Sequence, residues 1–397
     1  MIIVAELAFN DGGHVPFNAG LLAVVRKAFP DEPLCFFGGP AHIVELKKQI
    51  GEFLAESIEW KEIRILPQKV SYFSRFLGEM KILGNLLQMF PKGSTGPLLL
   101  TSARPATLVA LKWLKRFRFK SIRVQIVLHG QFSGVTGRRY RHPIRRFQEM
   151  RTALTLLGNS NLQYLVLEEN LRDVLLEHLP SLSGKVEVLE HPLPPNEAES
   201  KFNQLSSPIR FGFLGLANEA KGFPVFVKLA EEITEKFRDQ AEFHAIGRLS
   251  VDGHPTLRID ALTTKPGVER LSRADYIHGV EPLHFIVLPH HASFYDLNSS
   301  GTLLDALAWS KPLIARKILI FEKFFAKHGD IGYVFSTDRE LREIIEHILE
   351  GGDKTHYDEQ VHNVQKARGS RAPEALAVEY RNMCEKMEMQ VCAAVIM

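Results

Sequence analysis

The residues best suited to chemistry lie in loops that follow short apolar runs. The richest is the segment Ser299, Ser300, Gly301 and Thr302, with Asp305 close behind it. These residues open a predicted helix, and the free backbone N–H groups of a helix start, helped by the helix dipole, hold anions. The chemistry implied is capture of a phosphate or diphosphate, with Asp305 able to reach neighbouring sugar hydroxyls. Lys221 follows Gly215 across a polar loop and precedes Gly222, where an ammonium can neutralise phosphate as a point charge. Gly247-Arg248 offers another close backbone approach and a cation. Nearer the amino terminus, Asp11-Gly12-Gly13-His14 lets backbone approach a ligand. His129-Gly130 ends an apolar run with a ring able to bond a sugar hydroxyl or shuttle a proton. Each also has a plain structural alternative, since Ser-Ser-Gly starts ordinary helices, glycines make tight turns and surface cations are commonly solvated.

The elements that must position these residues alternate. Strands are predicted at 2–5, 34–37, 63–66, 98–101 and 123–128, with helices at 17–28, 42–54 and 105–117, and residues 153–157 and 164–167 add strand or short-helix material. A Pro- and Ser-rich stretch, 187–208, reads as a linker. A second series follows: strand 209–214 ending at Gly215, helix 224–237, strand 243–246 ending at Gly247, strand 285–288, helix 303–309, strand 313–315, and helix 338–350 with Asp338 as its cap. Residues 372–395 are helix-compatible. Strands alternating with helices predict an α/β fold of two Rossmann-like domains with parallel sheets facing across a cleft, where ligands bind at the carboxyl ends of the strands. The predicted domains are 1–195 and 196–370, with a helical tail at 371–397 packing back on the first.

Composition narrows the function. The chain has 397 residues, 45% hydrophobic and 24% charged, which excludes wholesale disorder. Three cysteines without metal-ligand spacing fit a reducing compartment, and no apolar run reaches the ~18–20 residues that span a bilayer. The start, MIIVAELAF, reads as a buried strand, because it carries Glu6 and lacks a basic flank. Net charge is only +3, but residues 112–151 carry twelve Lys and Arg against Glu149 alone, interleaved with aromatics. That patch predicts contact with an anionic membrane surface or an anionic acceptor, and no nucleic-acid motif accompanies it. Nicotinamide-type, P-loop, serine-hydrolase and zinc signatures are absent.

The segments FGFLGLANEAKGF (211–223) and FIVLPHHASFYDLNSSGTLLDALAWSKPLIA (285–315) resemble the nucleotide-sugar domain of GT-B glycosyltransferases, in particular the retaining family four, over most of residues 209–350. The resemblance implies an amino-terminal acceptor domain and a carboxy-terminal domain for a UDP- or GDP-sugar. Lys221, Arg248 and the amides of residues 299–302 would hold the donor diphosphate, with Gly12, Gly13 and Gly215 close to it. Asp305 would bind the ribose, and His129, Asp11 and His14 would be the groups nearest the chemistry. No metal or cofactor beyond the donor is implied. The expected activity is hexosyl transfer, with retention, to a glycan or lipid-linked glycan in surface polysaccharide biosynthesis. The expected place is the cytoplasm, peripheral at the inner face of the membrane. Two departures stand out: Leu216 occupies the place of the family's arginine, and counting back from Asp305 to the family's first glutamate lands on Leu297, with Asp296 one position off. They leave open a nucleotide-sugar epimerase of the same fold, or a non-catalytic partner in glycan assembly.

Overall fold

In the computed structural model the chain divides into two units, one from Met1–Asn196 with Arg371–Met397 and the other from Glu197–Asp296 with Ser300–Ser370. The structure describes residues 1–91, 97–129, 133–137, 139–157, 161–195, 203–250, 258–291, 301–351 and 354–396.

The first unit holds seven strands: β1 (Ile2–Ala5), β2 (Leu34–Gly38), β3 (Glu59–Glu62), β4 (Leu98–Leu100), β5 (Val124–Val127), β6 (Leu162–Val166) and β7 (Val186–Val188). All pair in parallel, in the order β3-β2-β1-β4-β5-β6-β7. Helices cover both faces, so the central strands are apolar on both sides. Ile3, Ala5, Leu98 and Leu100 enter one core, while Val4 and Leu99 enter the other. The second core is completed by Leu376, Tyr380 and Met383 of the helix Pro373–Ile396. Tyr380 donates its hydroxyl to Gln125 Oε1 at 2.7 Å, and Arg123 donates to the Cys384 carbonyl at 3.1 Å.

Several predicted bounds move. The strand expected at 63–66 is instead β3, a polar segment on the sheet edge that pairs with β2 alone and needs no apolar run. The helix expected at 42–54 breaks at Gly51, whose φ of 79° ends one helix, Pro40–Ile50, and starts another, Glu52–Glu56. The linker begins later than predicted, because β7 takes 186–188. Residues 150–155 are helical, and a further helix, Tyr72–Gln88, starts at Ser71, whose hydroxyl accepts the Ser74 N–H.

The second unit holds β8 (Ile209–Ala217), β9 (Ala241–Leu249), β10 (Phe285–Leu288), β11 (Leu313–Arg316) and β12 (Gly332–Phe335), parallel in the order β12-β11-β10-β8-β9. Stacked rings of Phe211, Phe243 and Phe285 run through its core. β8 and β9 outrun their predicted ends. Gly215 and Gly247 therefore lie inside paired strands rather than in loops, and they face each other so closely that a Cβ on Gly247 would sit 1.9 Å from the Gly215 carbonyl oxygen. The helix Asp338–Leu349 is capped by Thr337 and not by Asp338: the threonine hydroxyl accepts the Glu340 N–H at 3.2 Å.

Each sheet reverses direction once. The chain runs from β1 outward to β3, then resumes at β4 on the other side of β1; likewise β10 resumes on the side of β8 opposite β9. The carboxyl ends of β1 and β4, and of β8 and β10, flank these reversal points, which is where open α/β sheets bind ligands.

Candidate functional site

Glu6 marks the reversal point of the first sheet. It is wholly buried, and a buried carboxylate is costly unless it is hydrogen-bonded. It is well served: Oε1 accepts the Ala8 N–H at 2.7 Å and the Ser102 hydroxyl at 2.5 Å, while Oε2 accepts the Thr101 hydroxyl at 2.9 Å and the Asn18 amide at 3.4 Å. His14 Nδ1 stands 3.4 Å from Oε2. Burial alone would raise this carboxyl, but His14, Ser102 and the Ala8 N–H outweigh it and hold it down to about 2. Asn18 also meets His42 Nε2 at 2.9 Å, and His42 Nδ1 lies 2.9 Å from the Asp11 carbonyl. A carbonyl only accepts, so Nδ1 carries the proton and Nε2 accepts from Asn18.

His14 has left-handed backbone (φ 63°) at the start of the helix Val15–Ala28. Its ring lies 4.0 Å from that of Phe9 and 4.2 Å from that of His129. Phe17 packs edge-on to His129 and to His191, each at 4.9 Å. Burial, with His14 and His191 nearby, pushes His129 well below the ordinary histidine range. Burial likewise lowers His191 to about 3, and its Nδ1–H donates to the Pro192 carbonyl at 3.1 Å. The arrangement pairs one imidazole with a carboxylate and sets a neutral imidazole beside it, a set suited to moving a proton or binding a hydroxyl.

At the reversal point of the second sheet, the half-buried Lys221 donates to the Leu214 carbonyl at 3.4 Å and lays its ammonium against Gly215. A Cβ added there would meet Nζ at 2.8 Å and Thr302 Cγ2 at 3.5 Å. Burial lowers the Lys221 pKa to about 8, against the opposing pull of Asp305. Gly222 has φ 72°, and a Cβ there would lie 2.0 Å from the Pro289 carbonyl oxygen, so only glycine lets this loop approach the end of β10. Thr302 Oγ1 is 3.2 Å from Nε2 of the buried His290. Asp305 accepts the Tyr276 hydroxyl at 2.7 Å on Oδ2 and faces Arg273 Nη1 at 3.5 Å on Oδ1.

The predicted residues thus fall into two sets. His14 and His129 meet in the first unit; Gly215, Lys221, Thr302 and Asp305 gather in the second. Gly12 and Gly13 lie in the loop before His14, but Asp11 turns its carboxylate to the Gly13 N–H at 2.9 Å. Gly301 begins the helix Gly301–Ala308, and Arg248 is exposed within β9. Ser299, Ser300 and Gly130 lie outside the described residues. The basic stretch is thinner on the surface than its sequence suggests, because Lys112, Lys115 and Arg123 are buried. The Lys112 ammonium donates to the Leu154 and Leu156 carbonyls, and Lys115 donates to that of Ile122. Glu6, Asn18, Thr101, Ser102, Arg273 and Tyr276 were not anticipated. Glu6 alone carried a signal, an acid directly behind four apolar strand residues.

No protein-family model and no curated protein matches the chain. Solved structures do. The Anabaena protein HepE, solved in complex with UDP and glucose, is 12% identical and aligns over 97% of this chain and 100% of its own, with a TM-score of 0.67. A glycosyltransferase from Rickettsia africae aligns over 97% and 98% at 12% identity and a TM-score of 0.63. The UDP-GlcNAc 2-epimerase of Neisseria meningitidis, bound to UDP-GlcNAc, aligns over 98% and 100% at 13% identity and a TM-score of 0.55. At such identities the likeness is one of fold: this chain has the two-Rossmann-domain fold of GT-B glycosyltransferases.

Proposed function

We propose that the protein transfers a hexosyl group from a UDP- or GDP-sugar, bound by the second unit, to a hydroxyl of a glycan or lipid-linked glycan, bound by the first. The observation that carries this reading is the half-buried Lys221, with its ammonium over Gly215 beside Thr302 and Asp305, at the reversal point of the second sheet. That is a cradle for an anion with a carboxylate beside it. In the reaction the acceptor oxygen bonds to the sugar's anomeric carbon as the bond from that carbon to the diphosphate oxygen breaks. That bond's electron pair leaves with the diphosphate, and the acceptor's hydroxyl proton passes to the departing phosphate oxygen in retention or to a base in inversion. Lys221 would stabilise that charge as it develops, with the amides of residues 300–302 and Arg248, so positive charge would come from the chain rather than from a metal. Retention, which the family resemblance implies, asks no base of the first unit; inversion would ask one, and His14 beside Glu6 is then the group placed to serve.

The reading is tested by calorimetry of UDP, GDP, ADP, TDP and CMP with the protein and with Lys221→Ala. One nucleoside diphosphate is expected to bind, with and without chelator, and the variant to lose at least roughly tenfold in affinity. Affinity should also fall above about pH 8, as Lys221 gives up its proton. Failure of all five to bind would end the donor-site assignment.

The acceptor class we propose places the protein at an anionic membrane surface, in surface polysaccharide biosynthesis. Among the described residues no helix is long and apolar enough to cross a membrane. Arg116, Arg118, Lys120, Arg141, Arg145 and Arg146 are exposed, as are Trp113, Phe117, Tyr140 and Phe147. Each basic group near such a surface contributes about 1 kcal/mol, screened by salt. Co-sedimentation with phosphatidylglycerol vesicles should exceed that with phosphatidylcholine vesicles, and should fall in 0.5 M salt (roughly a 4 Å screening length) and on combining Trp113→Ala with Arg116→Glu. Equal partitioning between the two vesicles would remove the membrane from the proposal.

A further inference from the structure

We propose that Tyr276 and Arg273 are positioning residues that fix the Asp305 carboxylate as the acceptor of a ribose diol, and so make the second unit select ribonucleotides over 2′-deoxyribonucleotides. The inference rests on the reading above that this unit binds a nucleoside diphosphate. Asp305 lies in the helix Gly301–Ala308, and its side chain remains about a quarter exposed, at 25%. Its two oxygens have separate partners, Oδ2 taking the Tyr276 hydroxyl at 2.7 Å and Oδ1 facing Arg273 at 3.5 Å. An ionised carboxylate has roughly four acceptor positions. Among the described residues each oxygen has one donor, which locks the group's rotation and still leaves each oxygen able to accept. Two adjacent hydroxyls are the donor pair that fits two such oxygens at once.

The surroundings favour this over a simple structural tie. Asp305 lies one turn beyond Thr302 in the same helix, and Thr302 and the Lys221 ammonium both pack at Gly215, so the carboxylate and the anion cradle belong to one site. The helix Arg273–Val280, which brings both partners, starts firmly: the Ser272 hydroxyl accepts the Asp275 N–H at 3.1 Å. Arg273 lies over the Tyr276 ring at 5.4 Å, which holds the phenol in place. Burial and the neighbouring Asp305 push the Tyr276 pKa well above the ordinary tyrosine range, so the phenol stays a donor to the carboxylate. A tether that only joined two helices would not need a carboxylate open to solvent.

A structural tie and a positioning role predict different losses. If the trio only joined helices, its loss would weaken every nucleotide alike. If it orients Asp305, its loss removes the advantage of the 2′-hydroxyl and leaves binding of the deoxy form as it was. A site built around a hydroxyl discriminates strongly against the analogue that lacks it.

The experiment is calorimetry of UDP, GDP and ADP, and of their 2′-deoxy forms, with the full chain, Tyr276→Phe and Arg273→Gln. The native protein is expected to bind its preferred ribonucleotide roughly tenfold or more tighter than the deoxy form. Tyr276→Phe should remove most of that ratio, with affinity for the deoxy form unchanged within about twofold. Arg273→Gln, which keeps a donor, should remove less. Because the ratio is taken within each variant, partial unfolding cancels. A ratio near one in the native protein, or one unchanged in both variants, would overturn the assignment of Tyr276 and Arg273. If no diphosphate binds the native protein, the donor-site reading fails and takes this inference with it.

Discussion

Replacing Arg371 with methionine is expected to cost the first unit about 3–5 kcal/mol of stability, the range for breaking a buried ion pair by removing one partner. Its side chain is wholly buried, bonding both oxygens of Glu168 at 2.9 and 3.0 Å, with Nε 3.4 Å from Glu190. Both glutamates are buried too, and methionine would leave two carboxylates without their cation in a medium that solvates charge poorly. The residue also sits at a critical place in the chain. Its carbonyl accepts the Leu193 N–H at 3.1 Å, so one residue joins the segment that leaves the first unit to the one that re-enters it. Gly20 packs against that junction with no room for a Cβ, which would lie 2.8 Å from the Pro192 and Leu193 carbonyls. Urea unfolding of the native chain and Arg371→Met measures the loss. The triple change Glu168→Gln, Glu190→Gln, Arg371→Met should recover most of it, since the stranded charges are then gone. A loss under about 1 kcal/mol for the single variant would show the network to be worth no more than an exposed pair.

The order of elements was legible in the sequence because parallel sheets buried on both faces demand continuous apolar runs, and β1, β2, β4 and β10 have them. Elements without that demand were missed. Edge strand β3 reads Glu-Trp-Lys-Glu and looks like a turn; β12 is short and half exposed. The cradle proposed for the donor was legible as separate residues, since glycines and a lysine after strands are local signals. What gathers them is not local. Lys221 looked like a solvated helix-start lysine, and only the folded chain shows its ammonium laid against Gly215 of β8 beside Thr302. The partners of Asp305 come from a helix with no apolar stripe to announce it. The glutamate at the first reversal point was visible but mute: its partners Thr101 and Ser102 lie ninety-five and ninety-six residues away and carry no pattern that ties them to it.

That glutamate should also govern how the protein responds to acid. Glu6 titrates near 4.5 when unfolded and about 2 when folded. A carboxyl whose folded pKa is depressed contributes stability above its unfolded pKa, and that contribution disappears as the pH falls through the folded one. The gap corresponds to about 3 kcal/mol, present at pH 6 and lost between about pH 4.5 and 2. Glu6→Gln keeps the shape and cannot ionise. It should be less stable than the native protein at pH 6 by a similar amount, and the difference should shrink toward pH 2; a constant difference across that range would refute the linkage. His14→Ala should flatten the native curve in the same window, because the imidazole is the chief partner holding the carboxyl down. The same substitution separates fold from chemistry. If the proposed transfer inverts with His14 as its base, an amide at position 6 removes the charge that fixes the ring, and transfer should slow by about a hundredfold, the low end of what a positioned acid or base contributes. A retaining transfer, which asks no base of the first unit, should keep its rate. Nucleotide affinity, which the proposed function assigns to Lys221 and Asp305 in the other unit, should not change. A parallel loss of both would place Glu6 in the stability of the sheet alone, as the joint that ties β1 to β4 through Thr101 and Ser102.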